Sequence, residues 1–90
     1  MIINFKNIKT KDINDKETIA DISKDLGNMI FYGERDIAIS DMGHDIYHHG
    51  EFDLNKEQAE VVLKYVQEQF MPIVKRPLVP ILESIINGNE

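Results

Sequence analysis

Two histidines and two aspartates between residues 41 and 48 have the residue types and the spacing that metal binding requires. His44 and His48 are four residues apart, so on a helix their imidazoles project from the same face. At about 100° per residue, Asp41 and Asp45 gather on this face too. Asp45, however, follows the first histidine where a zinc metalloprotease has glutamate. We therefore interpret the four residues as a solvated helix face and predict no bound metal and no cofactor, with a metal site as the alternative.

Hydrolytic chemistry would need a nucleophile, for which Ser40 and Ser84 are the candidates. Neither serine lies in a glycine-flanked nucleophile turn, and Ser40 is better explained as a helix cap. The chain has no cysteine, and it contains neither a phosphate-binding glycine loop nor a dinucleotide-binding motif. The sequence therefore predicts a protein that is not an enzyme.

Length and composition describe a small globular protein. With 90 residues, of which 42% are hydrophobic and 29% charged, the chain suits a single domain spanning residues 1–90. Its first residues lack an apolar run of signal-peptide length, and no stretch approaches the roughly 20 apolar residues of a membrane span. We expect a cytoplasmic protein that has no membrane contact.

The net charge of −6 is concentrated in the middle of the chain. Residues 34–60 carry eight carboxylates against Arg35 and Lys56, which accounts for the whole excess. Nucleic-acid binding needs a dense lysine and arginine surface, so we expect no nucleic-acid partner. An acidic region of this kind can attract a basic protein, although solubility alone would explain six negative charges.

The N-terminal third alternates apolar and polar residues as β-strands do. Residues 2–9 and 17–22 predict a β-hairpin, because Asp12-Ile13-Asn14-Asp15 between them favours a turn. Ser23 is the predicted N-cap of the helix that follows, and Gly33 is placed to end it.

A second short helix is predicted around the histidines. Residues 34–39 fit either an edge strand or a loop, and Ser40 is the expected cap of a helix that runs to His49 and stops at Gly50. Residues 51–54 then form a brief extended connection.

Two longer helices complete the chain. Asn55 and Gln58 form a capping-box pattern before a helix over 56–70, which has apolar residues at helical spacing. Pro72 should interrupt that helix, and a new one should begin near Pro77, where a missing donor does least harm. The predicted fold is therefore α+β and mostly helical, with about four helices, an N-terminal hairpin and two C-terminal helices bent at prolines.

Some apolar residues lie outside the main helical stripes and could form an interface. Val61 and Tyr65 fall away from the stripe of the 56–70 helix, and Val79 and Ile86 widen that of the last helix. The simplest partner is a second copy, which would make a homodimer. The alternative is that the hairpin and the short helices cover both faces within the monomer.

Residues 25–32, 45–54 and 57 onward, with Asp25-Leu26-Gly27-Asn28 and Asp45-Ile46-Tyr47 among them, resemble short uncharacterised proteins encoded by prophages and mobile elements. The resemblance implies a small accessory protein beside phage genes, and it carries no functional residues. We therefore expect a non-catalytic protein–protein interaction or structural module. The alternative is an acidic inhibitor that imitates nucleic acid and binds a basic partner.

Overall fold

The computed structural model describes residues 2–88, and within that range the chain forms four helices and four short strands. In chain order they are β1 (Ile2–Asn4), β2 (Ile8–Lys11), β3 (Glu17–Ala20), α1 (Ser23–Gly33), α2 (Ile37–His49), β4 (Glu51–Asp53), α3 (Lys56–Gln69) and α4 (Pro72–Ile86). Helices hold most of these residues, which confirms the predicted α+β, mostly helical class.

The predicted hairpin forms, but it is shorter than expected. β2 and β3 pair antiparallel, and Asp12 stabilises the turn by accepting backbone N–H bonds from Asn14 and Lys16, each at 2.9 Å. The prediction of one continuous strand over 2–9 is wrong. The chain turns after β1, where the Asn4 side chain accepts a hydrogen bond from the backbone N–H of Lys6 at 3.0 Å.

β1 pairs instead with β4, which lies almost fifty residues further along the chain. Ile3 stands opposite Phe52 in this antiparallel pair, and the side chain of Ile3 is buried. β4 follows α2 directly, because Gly50 ends that helix with a φ of 80°, as its glycine predicted. The β1–β4 pair therefore closes the base of the α1–α2 hairpin.

Ser23 does not cap α1 as predicted. The helix begins at Ser23, and Ile22 occupies the cap position without a side-chain hydrogen bond. The Ser23 hydroxyl and backbone N–H both donate to the Asp21 carboxylate, at 2.7 Å and 3.0 Å. These bonds hold the pKa of the Asp21 carboxyl below its ordinary value. Asp21 therefore binds the first backbone N–H of α1, and the Ser23 hydroxyl donates a hydrogen bond where a cap would accept one.

Ser40 does not cap α2 either. The helix begins three residues earlier, where Asp36 accepts hydrogen bonds from the backbone N–H groups of Ala38 and Ile39. The stretch 34–39, which fitted either an edge strand or a loop, therefore forms no strand. Residues 37–39 are the first turn of α2, and Asp36 is its cap. Ser40 lies in the second turn, and its hydroxyl donates to the carbonyl oxygen of Phe31 at 2.8 Å.

The capping box of α3 is confirmed, since the Asn55 side chain accepts from the backbone N–H of Gln58 at 2.8 Å and the Gln58 side chain accepts from the backbone N–H of Asn55 at 3.0 Å. Pro72 separates the last two helices as predicted, but a helix start near Pro77 is wrong. α4 begins at Pro72 itself, and Pro77 and Pro80 lie inside it. Pro72 already supplies the favoured first-turn proline, so the helix starts there. A bend of α4 at its inner prolines stays a prediction.

The helices bury their apolar faces in one core. Its largest fully buried side chains come from all four helices and from the segment between β1 and β2: Phe5, Leu26, Ile30, Met42, Ile46, Val62, Val66, Leu78 and Leu82. Three aromatic side chains of α1 and α2 lie outside this core and are exposed: Phe31, Tyr32 and Tyr47.

Candidate functional site

α1 and α2 pack closely because each presents a glycine to the other. A Cβ atom on Gly43 would lie 2.7 Å from the backbone nitrogen of Phe31 and 2.9 Å from the carbonyl oxygen of Gly27. A Cβ atom on Gly27 would lie 2.6 Å from the carbonyl oxygen of Gly43. All three distances are well below van der Waals contact. The backbones of α1 and α2 therefore touch along a seam, which we define by Gly27 and Gly43 and which has no room for a side chain at either position.

An open cleft of about 270 Å³ lies along this seam. Its lining includes Gly27 and Asn28, together with five rings: Phe31, Tyr32, His44, Tyr47 and His48. The exposed fraction is 39% for Phe31, 79% for Tyr32 and 38% for Tyr47. Exposed aromatic clusters are uncommon on monomeric proteins and often mark a binding surface.

The five rings form a continuous chain across the two helices. Phe31 contacts Tyr32 edge to face at 5.0 Å between ring centroids, and it lies 6.0 Å from His44. His44 and His48 are 4.4 Å apart, and Tyr47 meets His48 at 5.1 Å. Each ring contacts at least one other ring, so the five side chains form one aromatic surface along the cleft.

Opposite charges flank the cleft. The Asp45 carboxylate lies 3.8 Å from Nδ1 of His44, and Asp41 is exposed one turn before it on α2. On α1, the Lys24 ammonium lies 6.0 Å from the centroid of the Tyr47 ring, which is the limit of a cation–π contact. The rings of this cleft therefore already hold one cation at one end.

The structure brings the predicted metal candidates His44 and His48 together on one face of α2, with Asp45 beside His44. The fourth candidate, Asp41, is exposed one turn before Asp45. Among residues 2–88, however, no group of three or more histidine, cysteine or acidic side chains is arranged to hold a metal ion. Two imidazoles leave a zinc ion short of the three or four protein ligands that it takes in stable sites. The arrangement fits ring packing better than metal binding.

Zinc at a stoichiometric concentration is therefore expected to raise the melting temperature by no more than about 2 °C. The double substitution His44→Ala and His48→Ala should change the free energy of unfolding by less than about 1 kcal/mol, because both side chains are exposed. Thermal melts with zinc and with a chelator test both statements. A large zinc-dependent rise that the double substitution abolishes would establish a metal site instead.

The four predicted interface residues, Val61, Tyr65, Val79 and Ile86, are each half-buried and pack against the core. Tyr65 also donates a hydrogen bond from its hydroxyl to Oε2 of Glu34, at 3.0 Å. This bond joins α3 to the segment between α1 and α2. That the four residues form an interface stays a prediction.

Burial and the Glu34 carboxylate both raise the pKa of Tyr65 above its ordinary value near 10. A raised folded-state pKa gives stabilisation that is complete below about pH 10 and is lost as pH rises through the folded pKa. In an absorbance titration of the wild type, Tyr65 should be the last tyrosine to ionise. We expect this last ionisation step to be absent from Tyr65→Phe. Over the same pH range, the wild type should lose stability relative to that variant. Identical titration end points for the two proteins would contradict the assignment.

A second apolar groove, of about 570 Å³, lies between β1, β2 and α4. Ile2, Ile81, Pro77 and Pro80 contribute to its lining. Ile81 of α4 is 39% exposed and Ile2 of β1 is 66% exposed. The apolar surface of α4 is therefore wider than the part that it buries within residues 2–88.

The exposed rings of α1 were missed in the sequence analysis, although a signal for them exists. Ile30 is buried, so on a helix Tyr32 must point about 200° away from it, toward solvent. Tyr47 shares the apolar side of α2 with Met42 and Ile46, but it lies at the edge of that side and is partly exposed. The close approach of two glycines, which opens the cleft, depends on pairing that no local pattern encodes.

Comparisons with protein-family models, with curated proteins and with solved structures found no match to this chain. Over residues 2–88, none of the helices combines the length and the apolarity needed to cross a membrane. The cleft and the groove therefore carry the functional argument.

Proposed function

We propose that this protein is a non-catalytic protein-interaction module of the cytoplasm and that its partner binds in the cleft between α1 and α2. The observation that supports the proposal is the chain of five rings, of which Tyr32 is 79% exposed. Tyrosine and other large rings dominate binding energy at protein interfaces, because they bury a large area at a small cost in side-chain entropy.

The serine geometry also supports a non-catalytic role. The Ser40 hydroxyl donates to the backbone carbonyl of Phe31 and thereby fastens α2 to the end of α1. A nucleophilic serine needs a base that accepts its proton. In this position Ser40 acts as a helix-packing contact.

Site-specific photocrosslinking in the native host tests the proposal. A photoreactive phenylalanine analogue at position 32 should yield covalent adducts with one defined protein, whereas the same analogue at Gln67, exposed on α3, should not. With the partner purified, Tyr32→Ala should weaken binding about tenfold or more, as truncation of a central ring does. Equal adducts from the two positions, or unchanged affinity of the Tyr32→Ala protein, would reject the cleft as the binding site.

Self-association is the second part of the proposal, with a homodimer formed through the groove beside α4. The exposed Ile2 and Ile81 side chains support it, since apolar grooves of small domains are commonly covered by a second copy. Sedimentation equilibrium at about 100 μM should detect a dimer, and Ile81→Glu should dissociate it. A strict monomer at that concentration would count against this part of the proposal and leave the cleft unaffected.

An acidic inhibitor of a basic protein is the alternative function. Six of the eight carboxylates in residues 34–60 are exposed, which supports it: Asp36, Asp41, Glu51, Asp53, Glu57 and Glu60. They are spread over α2, β4 and α3, so they offer a diffuse field more than a defined site. Salt-sensitive competition with DNA for a DNA-binding protein would favour this alternative.

The genes beside the coding sequence would test the proposed phage or mobile-element origin. Phage tail or head genes as neighbours would favour a structural subunit, and early phage genes would favour an inhibitor.

A further inference from the structure

The cleft is too small for most organic ligands but large enough for one long side chain. Its volume of about 270 Å³ lies below the roughly 300–1,000 Å³ that small-molecule sites occupy. Phe31 and Tyr32 line it, are both exposed, and stand at right angles to each other. With two perpendicular rings, a planar group can stack on the face of one ring while its edge contacts the other ring.

The charges around the cleft select the sign of that group. Neither Asp41 nor Asp45 lines the cleft, but the Asp45 carboxylate is about half exposed and lies 3.8 Å from Nδ1 of His44, which does line it. Asp41 is exposed one turn earlier on α2. Lys24 is the cation that already contacts a ring, but it lies at the Tyr47 end. Phe31 comes seven residues later on α1, about 10 Å along the helix axis, which is about one Debye length at moderate salt. Arg35 is exposed four residues after Phe31, but Asp36 and Asp41 are exposed near the same end of the helix pair. The Phe31 end of the cleft therefore has more negative than positive charge around it, and we call it the acidic end.

We propose that the acidic end of the cleft binds an arginine side chain presented by the partner protein. This inference rests on the proposed function, because it names the chemistry of the group that enters the same cleft. A guanidinium is planar and stacks on aromatic rings, and its paired N–H donors match a carboxylate. A lysine ammonium can satisfy the carboxylates but cannot stack, so arginine fits the ring geometry better.

An NMR titration with short blocked peptides tests the inference. The probes are an alanine-based hexapeptide with one central arginine and the same peptide with citrulline, which has nearly the same shape but no charge. At about pH 8, we expect the arginine peptide to shift the amide resonances of Phe31, Tyr32 and Asp45. It should bind about threefold or more tightly than the citrulline peptide.

Matched charge variants separate a local site from a diffuse acidic field. Asp41→Asn with Asp45→Asn should weaken arginine binding about threefold or more. Glu60→Gln with Glu83→Gln makes the same change of net charge at exposed positions on α3 and α4, and it should leave binding unchanged. Equal losses in the two variants would overturn the inference in favour of a diffuse acidic surface.

Other outcomes distinguish failure of this inference from failure of the proposed function. Equal binding of the arginine and citrulline peptides, or no shift with either one, would overturn the arginine assignment, whereas defined adducts from position 32 would still support the cleft as an interface. Cleft resonances that shift on dilution without peptide would overturn it in favour of a second copy. Arginine-dependent shifts without any adduct from position 32 would support the chemistry of the cleft and count against its use by a partner protein.

Discussion

Gly43→Ala is expected to lower the free energy of unfolding by about 2 kcal/mol, because it places a methyl group in the seam between α1 and α2. That group would lie 2.7 Å from the backbone nitrogen of Phe31 and 2.9 Å from the carbonyl oxygen of Gly27. Overpacking costs about 1–3 kcal/mol, and the upper end applies where two of the nearest atoms belong to the backbone and cannot rotate away. Alanine recovers about 1 kcal/mol of helix propensity, so the steric cost prevails.

Urea unfolding followed by circular dichroism measures this effect, with Asn28→Ala as the matched control. Asn28 is exposed on α1, so alanine there gains helix propensity without a steric conflict and should change stability by about 0.5 kcal/mol or less. Separation of the helices should also shift the amide resonances of the cleft residues in Gly43→Ala. If Gly43→Ala were more stable than the wild type, helix propensity alone would explain the residue and the close seam would be refuted.

Local signals in the sequence account for much of the fold. The capping box at Asn55 and Gln58 predicts the start of α3, because both partners lie within one turn. At α1 and α2, an aspartate upstream of the predicted serine cap accepts the backbone hydrogen bonds at the helix start, Asp21 from Ser23 and Asp36 from Ala38 and Ile39. The sequence pattern therefore predicts that a helix begins near each site, but it assigns the cap to the wrong residue.

Non-local contacts explain what the sequence could not predict. β1 pairs with β4 across the whole α1–α2 hairpin, and the short alternation in residues 2–9 favours a local hairpin equally well. Gly27 argued against a helix by propensity, yet the structure uses it at a close backbone contact that depends on Gly43, sixteen residues away. The cleft lies along that contact between α1 and α2. The sequence can therefore predict that single rings are exposed, but it cannot predict that they form a cluster.

Phe5→Ala is expected to lower the free energy of unfolding by about 4 kcal/mol, the largest effect among these predictions. Phe5 has no exposed surface, and its backbone joins three parts of the fold. Its N–H donates to the carbonyl oxygen of Gly50 at 2.8 Å, after α2, and its carbonyl accepts from the N–H of Ile22 at 2.9 Å, before α1. Loss of the ring leaves a cavity where these segments meet. Since a chain of this length has a total stability of roughly 5–13 kcal/mol, much of the margin would be lost.

Two controls identify the buried ring as the cause. Phe5→Leu keeps most of the apolar volume and should cost about 1.5 kcal/mol or less, whereas Ile13→Ala, at a side chain that is 97% exposed, should cost less than about 0.5 kcal/mol. In urea unfolding, Phe5→Ala should therefore be the least stable of the three variants, Phe5→Leu intermediate, and Ile13→Ala close to the wild type. Because Phe5 anchors both ends of the α1–α2 hairpin, Phe5→Ala should also weaken partner binding under mildly destabilising conditions, although Phe5 does not line the cleft. Equal, small stability losses for Phe5→Ala and Ile13→Ala would show that the hairpin is held in place without this residue.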